Sequence, residues 1–453
     1  MADATFHFPR DFQWGTATAA HQVEGDNANN DWHVWEQSGG GRIHADQVSG
    51  KACNWWAGHA EKDIRRMKEL HTNAHRLSIE WSRIEPKPGK WNIAAIDRYR
   101  EILTAMRKAG IEPMVTLHHF TNPIWLAERG GWLNEETPAL FQKFAKKAVG
   151  ELSDLCSVWC TINEPTVYAA NGYFEGRWSP GHANPAEYFQ AVYRLLEGHA
   201  AAYHAIHDIQ PQAKVGLAHH MASFYPRSAA NPLDRVVTWM LKRFFNDSTL
   251  DTLQTGEWKP LIGKQADMSR VVGTLDWIGL NYYQRYDAAF SLRALKSLGI
   301  TYAARPGQPK GPLGWGELYP AGLLEHITRL HKQLGLPIYI TENGVPDESD
   351  QTRPGFMLEH LREVWRAIQF NIPVMGYYFW SLLDNFEWSE GYNPQFRFGL
   401  YTMDFKTQKR TMTQSGALYK EIASSYAITS DMAWRYAPRT LETLFPGETP
   451  MRG

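Results

Sequence analysis

Short apolar runs rich in β-branched and aromatic residues recur along this chain. Each gives way to a turn and then to a stretch whose apolar residues return every three or four positions. The runs that predict strands are "FQWGTATA" (12–19), "AHRLSIEW" (74–81), "EPMVTLHH" (112–119), "SVWCTINE" (157–164), "KVGLAHH" (214–220), "DWIGLNYY" (276–283), "PIYITEN" (337–343) and "VMGYYFWSLL" (374–383). Between them, "AIDRYREILTAMRKAG" (95–110), "PALFQKFAKKAVGEL" (138–152), the stretch 188–209 and "FMLEHLREVWRAIQF" (356–370) read as amphipathic helices. This alternation predicts parallel strands joined by helical crossovers, and eight repeats predict an α/β fold closed as a (β/α)8 (TIM) barrel, with its site at the C-terminal ends of the strands. A doubly wound sheet is the rival architecture. Its glycine-rich turn after the first strand is missing, because "WGTATAAHQVEGD" does not read G-x-G-x-x-G.

At 453 residues the chain could hold two or three domains, but single barrels with insertions also reach this size. No linker or composition break interrupts it, so residues 1–453 are expected to form one catalytic domain, with 428–453 as a peripheral C-terminal tail. Lys plus Arg number 47 against 48 Asp plus Glu, a balance that favours neither nucleic acid nor an anionic membrane as partner. No run approaches the length of a spanning helix. Three cysteines without regular spacing argue against a disulfide framework or a zinc site, and no basic, then apolar leader is visible, so a cytoplasmic location is expected. The glycines of "SGGGR" (38–42) and "SGKA" (49–52) lack the Lys-Ser/Thr of a phosphate loop and read as surface loop. The unusual number is 19 Trp: flat aromatic faces suit the C–H faces of sugar rings.

Two strand ends then carry chemistry. "CTINEP" (160–165) and "IYITENG" (338–344) place Glu164 and Glu342 where the loops of a barrel converge, on one mouth. Two carboxylates across a cleft can cleave a glycosidic bond, one giving a proton to the leaving oxygen and the other attacking the anomeric carbon or activating water. A gap of about 5–5.5 Å would mean a nucleophile and retention; about 6.5–9.5 Å would leave room for water and mean inversion. A lone glutamate at such a place is more often a helix cap or an arginine partner. The doubled histidines at 118/119 and 219/220 do not suggest a metal, because neighbours on a strand face opposite sides. No metal or other cofactor is expected.

"TINEP" and "YITENG", together with "SIEWSRIEP" and "WSLLDNFEWSEGY", resemble glycoside hydrolase family 1, the retaining β-glucosidase group. The likeness runs from about Phe12 to the helix near residue 425, with several independent motifs in order. It implies that Glu164 is the acid/base and Glu342 the nucleophile, with Arg76 and Tyr283 beside the nucleophile. It also implies that Gln22, His119, Asn163, Glu387 and Trp388 read the sugar hydroxyls, above Trp380 as a platform. His220, Val167 and Trp315 are expected near the leaving group. Mutual repulsion is expected to keep Glu164 protonated while Arg76 holds Glu342 ionised.

The sequence departs from the family pattern at Phe120, where tryptophan is usual, a change expected to loosen contact with the glycone. It departs again in "GYNPQFRFG" (391–399), whose length leaves open whether Phe396 or Phe398 lines the pocket. The serine-plus-lysine arrangement of the phospho-sugar branch is missing after "DNFEW". The implied activity is exo-acting hydrolysis of small β-glycosides or oligosaccharides such as cellobiose, with fucosides and galactosides as further glycones. A transglycosidase using the same glutamates and a non-catalytic carbohydrate-binding relative are the alternatives, the latter disfavoured by the presence of both carboxylates. Oligomeric state and natural aglycone are not legible.

Overall fold

The computed structural model describes residues 4–312 and 314–448. Eight parallel strands close into a barrel: β1 (Gln13–Ala17), β2 (Ala74–Ser78), β3 (Glu112–His118), β4 (Val158–Asn163), β5 (Lys214–His220), β6 (Trp277–Asn281), β7 (Ile338–Asn343) and β8 (Val374–Trp380). Each strand pairs with its neighbours in chain order, and β8 pairs with β1. Helices α1 (Ala60–Glu69), α2 (Ile93–Lys108), α3 (Thr137–Leu152), α4 (Pro185–Ile209), α5 (Ser248–Thr255), α6 (Pro320–Leu334), α7 (Arg353–Gln369) and α8 (Gln414–Ser425) follow the strands in turn.

Local chemistry sets these elements. The strands are apolar nearly throughout because both faces are covered, and β2 and β6 are buried at every position. Asn92 and Asn184 cap α2 and α4 by accepting backbone N–H bonds, and Gly335 ends α6 in the left-handed region. The predicted helices match within a few residues. Four predicted strands overrun by two or three residues: 12–19, 74–81, 276–283 and 374–383 stop at Ala17, Ser78, Asn281 and Trp380. Their β-prone residues continue, but the ladder partners run out at the mouth, and Trp81–Ile84 turns into a short helix.

Two features frame the mouth. Three register shifts fall at the ends of β4, β6 and β7, beside Asn163, Asn281 and Glu342, re-aiming side chains where the site lies. An accessory sheet of Ser223–Pro226, Arg285–Phe290 and Ile300–Ala303 extends from the loops after β5 and β6, with helix Pro232–Leu241 packed on it. Buried Arg285 anchors this sheet, pairing with Asp287 at 2.8 Å and Glu317 at 2.7 Å. At the opposite end of the chain order, Thr5–His7 pairs antiparallel with Ala427–Thr429, and Phe445 stacks on Phe6.

Candidate active site

Glu342 is the penultimate residue of β7, and Glu164 follows the last residue of β4 with φ of 45°. That left-handed conformation is strained for glutamate, and Pro165 then starts a short helix. Gly344 is required here: a Cβ would come within 2.0 Å of the Trp380 carbonyl oxygen, so the chain after Glu342 passes β8 only without a side chain. Both carboxylates line one cavity of about 350 Å³.

Their partners differ. Arg76 Nη1 donates to Glu342 Oε1 at 2.6 Å, and the Tyr283 hydroxyl donates to Glu342 Oε2 at 2.6 Å. Glu164 Oε1 accepts from Asn281 Nδ2 at 2.8 Å and lies 3.1 Å from His220 Nδ1. Arg76 Nη2 also donates to Asn163 Oδ1 at 2.6 Å, and Asn281 Nδ2 reaches the same oxygen at 3.1 Å. One hydrogen-bonded chain therefore runs Glu342, Arg76, Asn163, Asn281, Glu164. Burial, then the charge of Glu164, pushes the Glu342 carboxyl up to about 7, against the pull of Arg76 and Tyr283. The expectation that Arg76 alone holds Glu342 ionised thus omits the desolvation of the strand end. The two short donors favour the anion at Glu342 against that burial.

At one end of the cavity Gln22 Nε2 donates to Asn385 Oδ1, the Phe386 carbonyl and Glu387 Oε2 at 2.9–3.1 Å, while Gln22 Oε1 is buried without a protein partner. Burial and the charge of Glu342 push Glu387 up to about 8. Asn163 Nδ2 lies 3.1 Å from His119 Nε2, and burial keeps His119 neutral, its pKa far below the usual value. The imidazole lies face to face with Trp380 and Trp388, centroids 6.1 and 5.9 Å away. Trp380, Glu387, Trp388, His119, His220, Val167, Trp315 and Tyr283 all line the cavity. Gln22, Arg76 and Asn163 do not, and reach it through the bonds just described. The paired histidines diverge as their alternation requires: His118 meets Asn122 and Trp132, and His219 the Asn246 carbonyl.

A family model described as "Glycosyl hydrolase family 1" matches residues 4–427. The chain belongs to this family. The beta-glucosidase A of Thermotoga maritima is 32% identical, with 92% of this chain and 98% of the relative covered. A beta-galactosidase of Sulfolobus acidocaldarius is 29% identical, over 94% and 96% of the two chains. Among solved structures, a beta-glycosidase from Pyrococcus horikoshii superposes with a TM-score of 0.88 at 36% identity, covering 96% of this chain and 98% of that one. The Thermotoga maritima beta-glucosidase in complex with castanospermine superposes at 0.86 and 30% identity, covering 93% and 99%. This chain is therefore a glycoside hydrolase, and family 1 membership accounts for the barrel.

Against the family 1 reading of the sequence, three points are new. Phe396 and Phe398 both line the cavity, packed on Trp315 with centroids 6.4 and 5.5 Å away. Phe120 is buried with φ of 73° and packs against Trp178 and Trp388, each 5.1 Å away, filling with hydrocarbon a place where an indole N–H is usual. Asn281, the hinge of the polar chain between the carboxylates, is absent from the sequence reading. Its signal was a lone amide ending the apolar run "WIGLN".

Proposed function

We propose that this family 1 enzyme is a retaining, exo-acting β-glycosidase in which Glu342 attacks the anomeric carbon and Glu164 moves the proton. The observation that carries this reading is the asymmetry of partners. Glu342 receives a guanidinium and a phenol, both of which favour an anion, whereas Glu164 has one amide and one imidazole. In the first step the Glu342 carboxylate forms a bond to the anomeric carbon while the glycosidic C–O bond breaks, and Glu164 gives its proton to the departing oxygen. In the second, Glu164 takes a proton from water, whose oxygen displaces Glu342 and frees the sugar with its β configuration.

Gln22, His119, Asn163, Glu387 and Trp388 are assigned to the glycone, with Trp380 beneath it. Glucosides are the leading substrates, with cellobiose, fucosides and galactosides accepted through the same groups. Residues 1–453 act as one catalytic domain, with 428–453 as a peripheral C-terminal tail, of which 449–453 lie outside the described residues. Three buried free thiols, Cys53, Cys156 and Cys160, fit a reducing cytoplasm. No helix among the described residues is long and apolar enough to cross a membrane.

The test is the anomer first released from 4-nitrophenyl β-D-glucoside, followed by proton NMR. The β-anomer is expected, and the α-anomer would refute retention. Glu342→Gly should lose turnover by a factor on the order of 10⁵, and azide should restore part of it as the α-glucosyl azide.

A further inference from the structure

The leaving-group side of the cavity is walled by carbon. Starting at His220, which touches Glu164, ring contacts lead outward without a break. His220 meets Phe245 with centroids 5.4 Å apart, Phe245 meets Phe224 at 6.0 Å, Phe224 meets Tyr286 at 6.1 Å, and Tyr286 meets Tyr302 at 5.0 Å. Phe174, Phe244, Leu241 and Ile300 line the same space. Apart from His220, which ends β5, these residues come from the accessory sheet, helix Pro232–Leu241 and the π-helical segments 170–174 and 242–247, not from the barrel strands.

The tyrosine hydroxyls of this wall are bonded to the protein. The Tyr188 hydroxyl donates to the Phe244 carbonyl at 2.6 Å and the Tyr302 hydroxyl to Glu175 Oε1 at 3.1 Å; the Tyr286 oxygen accepts from Gln284 Nε2 at 2.9 Å. Asn171 Nδ2 donates to the Val167 carbonyl and Arg177 to the other Glu175 oxygen. Among the described lining residues, the buried side-chain atoms left without a partner are Gln284 Oε1 and Trp315 Nε1. Trp315 lies at the cleavage end, against the Tyr283 ring 5.7 Å away, and can serve an oxygen near the scissile bond. Gln284 Oε1 belongs to the amide that donates to Tyr286, a single acceptor further out on the wall. A second sugar further out would meet rings whose hydroxyls are already committed, and each of its own hydroxyls buried there unpaired would cost affinity. The helix that contributes Leu241 also carries Leu233, Val236 and Trp239 on its outer face, 49%, 52% and 54% exposed.

We propose that the aglycone site of this enzyme is built for hydrocarbon, so that its preferred substrates are β-glucosides of apolar alcohols, linear alkyl glucosides being the plainest case, rather than disaccharides. This rests on the β-glycosidase reading above and adds the class of leaving group. A methylene moved from water into such a wall strengthens transition-state binding as long as the chain stays inside it.

The experiment is a series of n-alkyl β-D-glucosides, methyl through octyl, held below their micelle concentrations, beside cellobiose and 4-nitrophenyl β-D-glucoside. The alkoxide leaving groups are matched, so kcat/KM reports aglycone binding. It should rise about two- to fourfold per methylene, to about a hundredfold between butyl and octyl, with octyl at least about tenfold above cellobiose. Phe174→Ser should cut the octyl value about tenfold, with a loss that shrinks as the chain shortens. A flat series, or cellobiose above octyl, with the nitrophenyl glucoside still hydrolysed, would overturn the hydrocarbon site and leave the catalytic reading standing. No hydrolysis of any of the compounds would overturn both.

Discussion

The two ends of the cavity are built on different physical terms. The end at Glu342 is polar: one set of hydrogen bonds of 2.6–3.1 Å joins Glu342, Arg76, Asn163 and Asn281, and a second joins Gln22 to Glu387 at 3.1 Å. The end beyond His220 is a packing of rings with its hydroxyls turned into the protein. The first grows chiefly from the ends of the barrel strands, with Gln22 and Glu387 on the segments that follow β1 and β8; the second grows from loops and an accessory sheet. Directional bonds on rigid strands discriminate between sugars that differ by one hydroxyl. A non-directional wall on inserted segments sorts leaving groups by size and apolarity. The chemistry is thereby kept apart from the part of the cavity that can vary without disturbing it.

Substitutions at the two ends should therefore differ in size and in kind. The largest effect is expected at Arg76→Met, which removes the cation from Glu342 and the clamp on Asn163. kcat/KM should fall by about 10³ or more, and because Arg76 pulls the Glu342 pKa down, its loss should move the acid limb of the residual activity to higher pH. Glu387→Gln should follow, with a loss of about 10² on glucosides measured by initial rates. That variant also carries a stability prediction. In the folded chain Glu387 keeps its proton up to about 8, against 4.5 as the ordinary value, so wild-type stability falls as pH rises between those values. Glutamine removes the titration, and the variant's Tm should gain on the wild type from pH 5 to pH 8. A Tm difference that stays constant would show that Glu387 is not held neutral by burial.

Asn281→Ala should have a smaller effect, dependent on the substrate. Its amide orients Glu164, which is needed most where the leaving group is poor, so the loss should be about tenfold greater on an alkyl glucoside than on 2,4-dinitrophenyl β-D-glucoside. Equal losses on both would assign Asn281 to the fold rather than to proton transfer.

The strands and the polar end were legible in the sequence for one reason. A parallel barrel strand is buried on both faces, so it reads as an apolar run, and a polar residue at its end, as in "TINEP" or "YITENG", stands out against that background. Arg76 was legible in the same way, inside "AHRLSIEW". The apolar end was not. Phe174, Phe224, Phe244 and Tyr286 sit in segments with no sustained period, where an aromatic residue looks like any other buried ring, and only the tertiary approach of three separate loops makes a wall of them. Asn281 was missed because a single amide has many bland uses in a core. The raised pKa of Glu342 was missed because desolvation is a property of the assembled site, while the nearby cation can be guessed from a motif.

Retention through Glu342 requires that this carboxylate, and not Glu164, bonds to the sugar. Incubation with 2,4-dinitrophenyl 2-deoxy-2-fluoro-β-D-glucoside, which slows the second step more than the first, followed by peptide mass spectrometry, reads this directly. One fluoroglucosyl group on the peptide that contains Glu342, with none on the peptide that contains Glu164, is the predicted result. A label on Glu164, or a burst of dinitrophenol that leaves no label on Glu342, would contradict it.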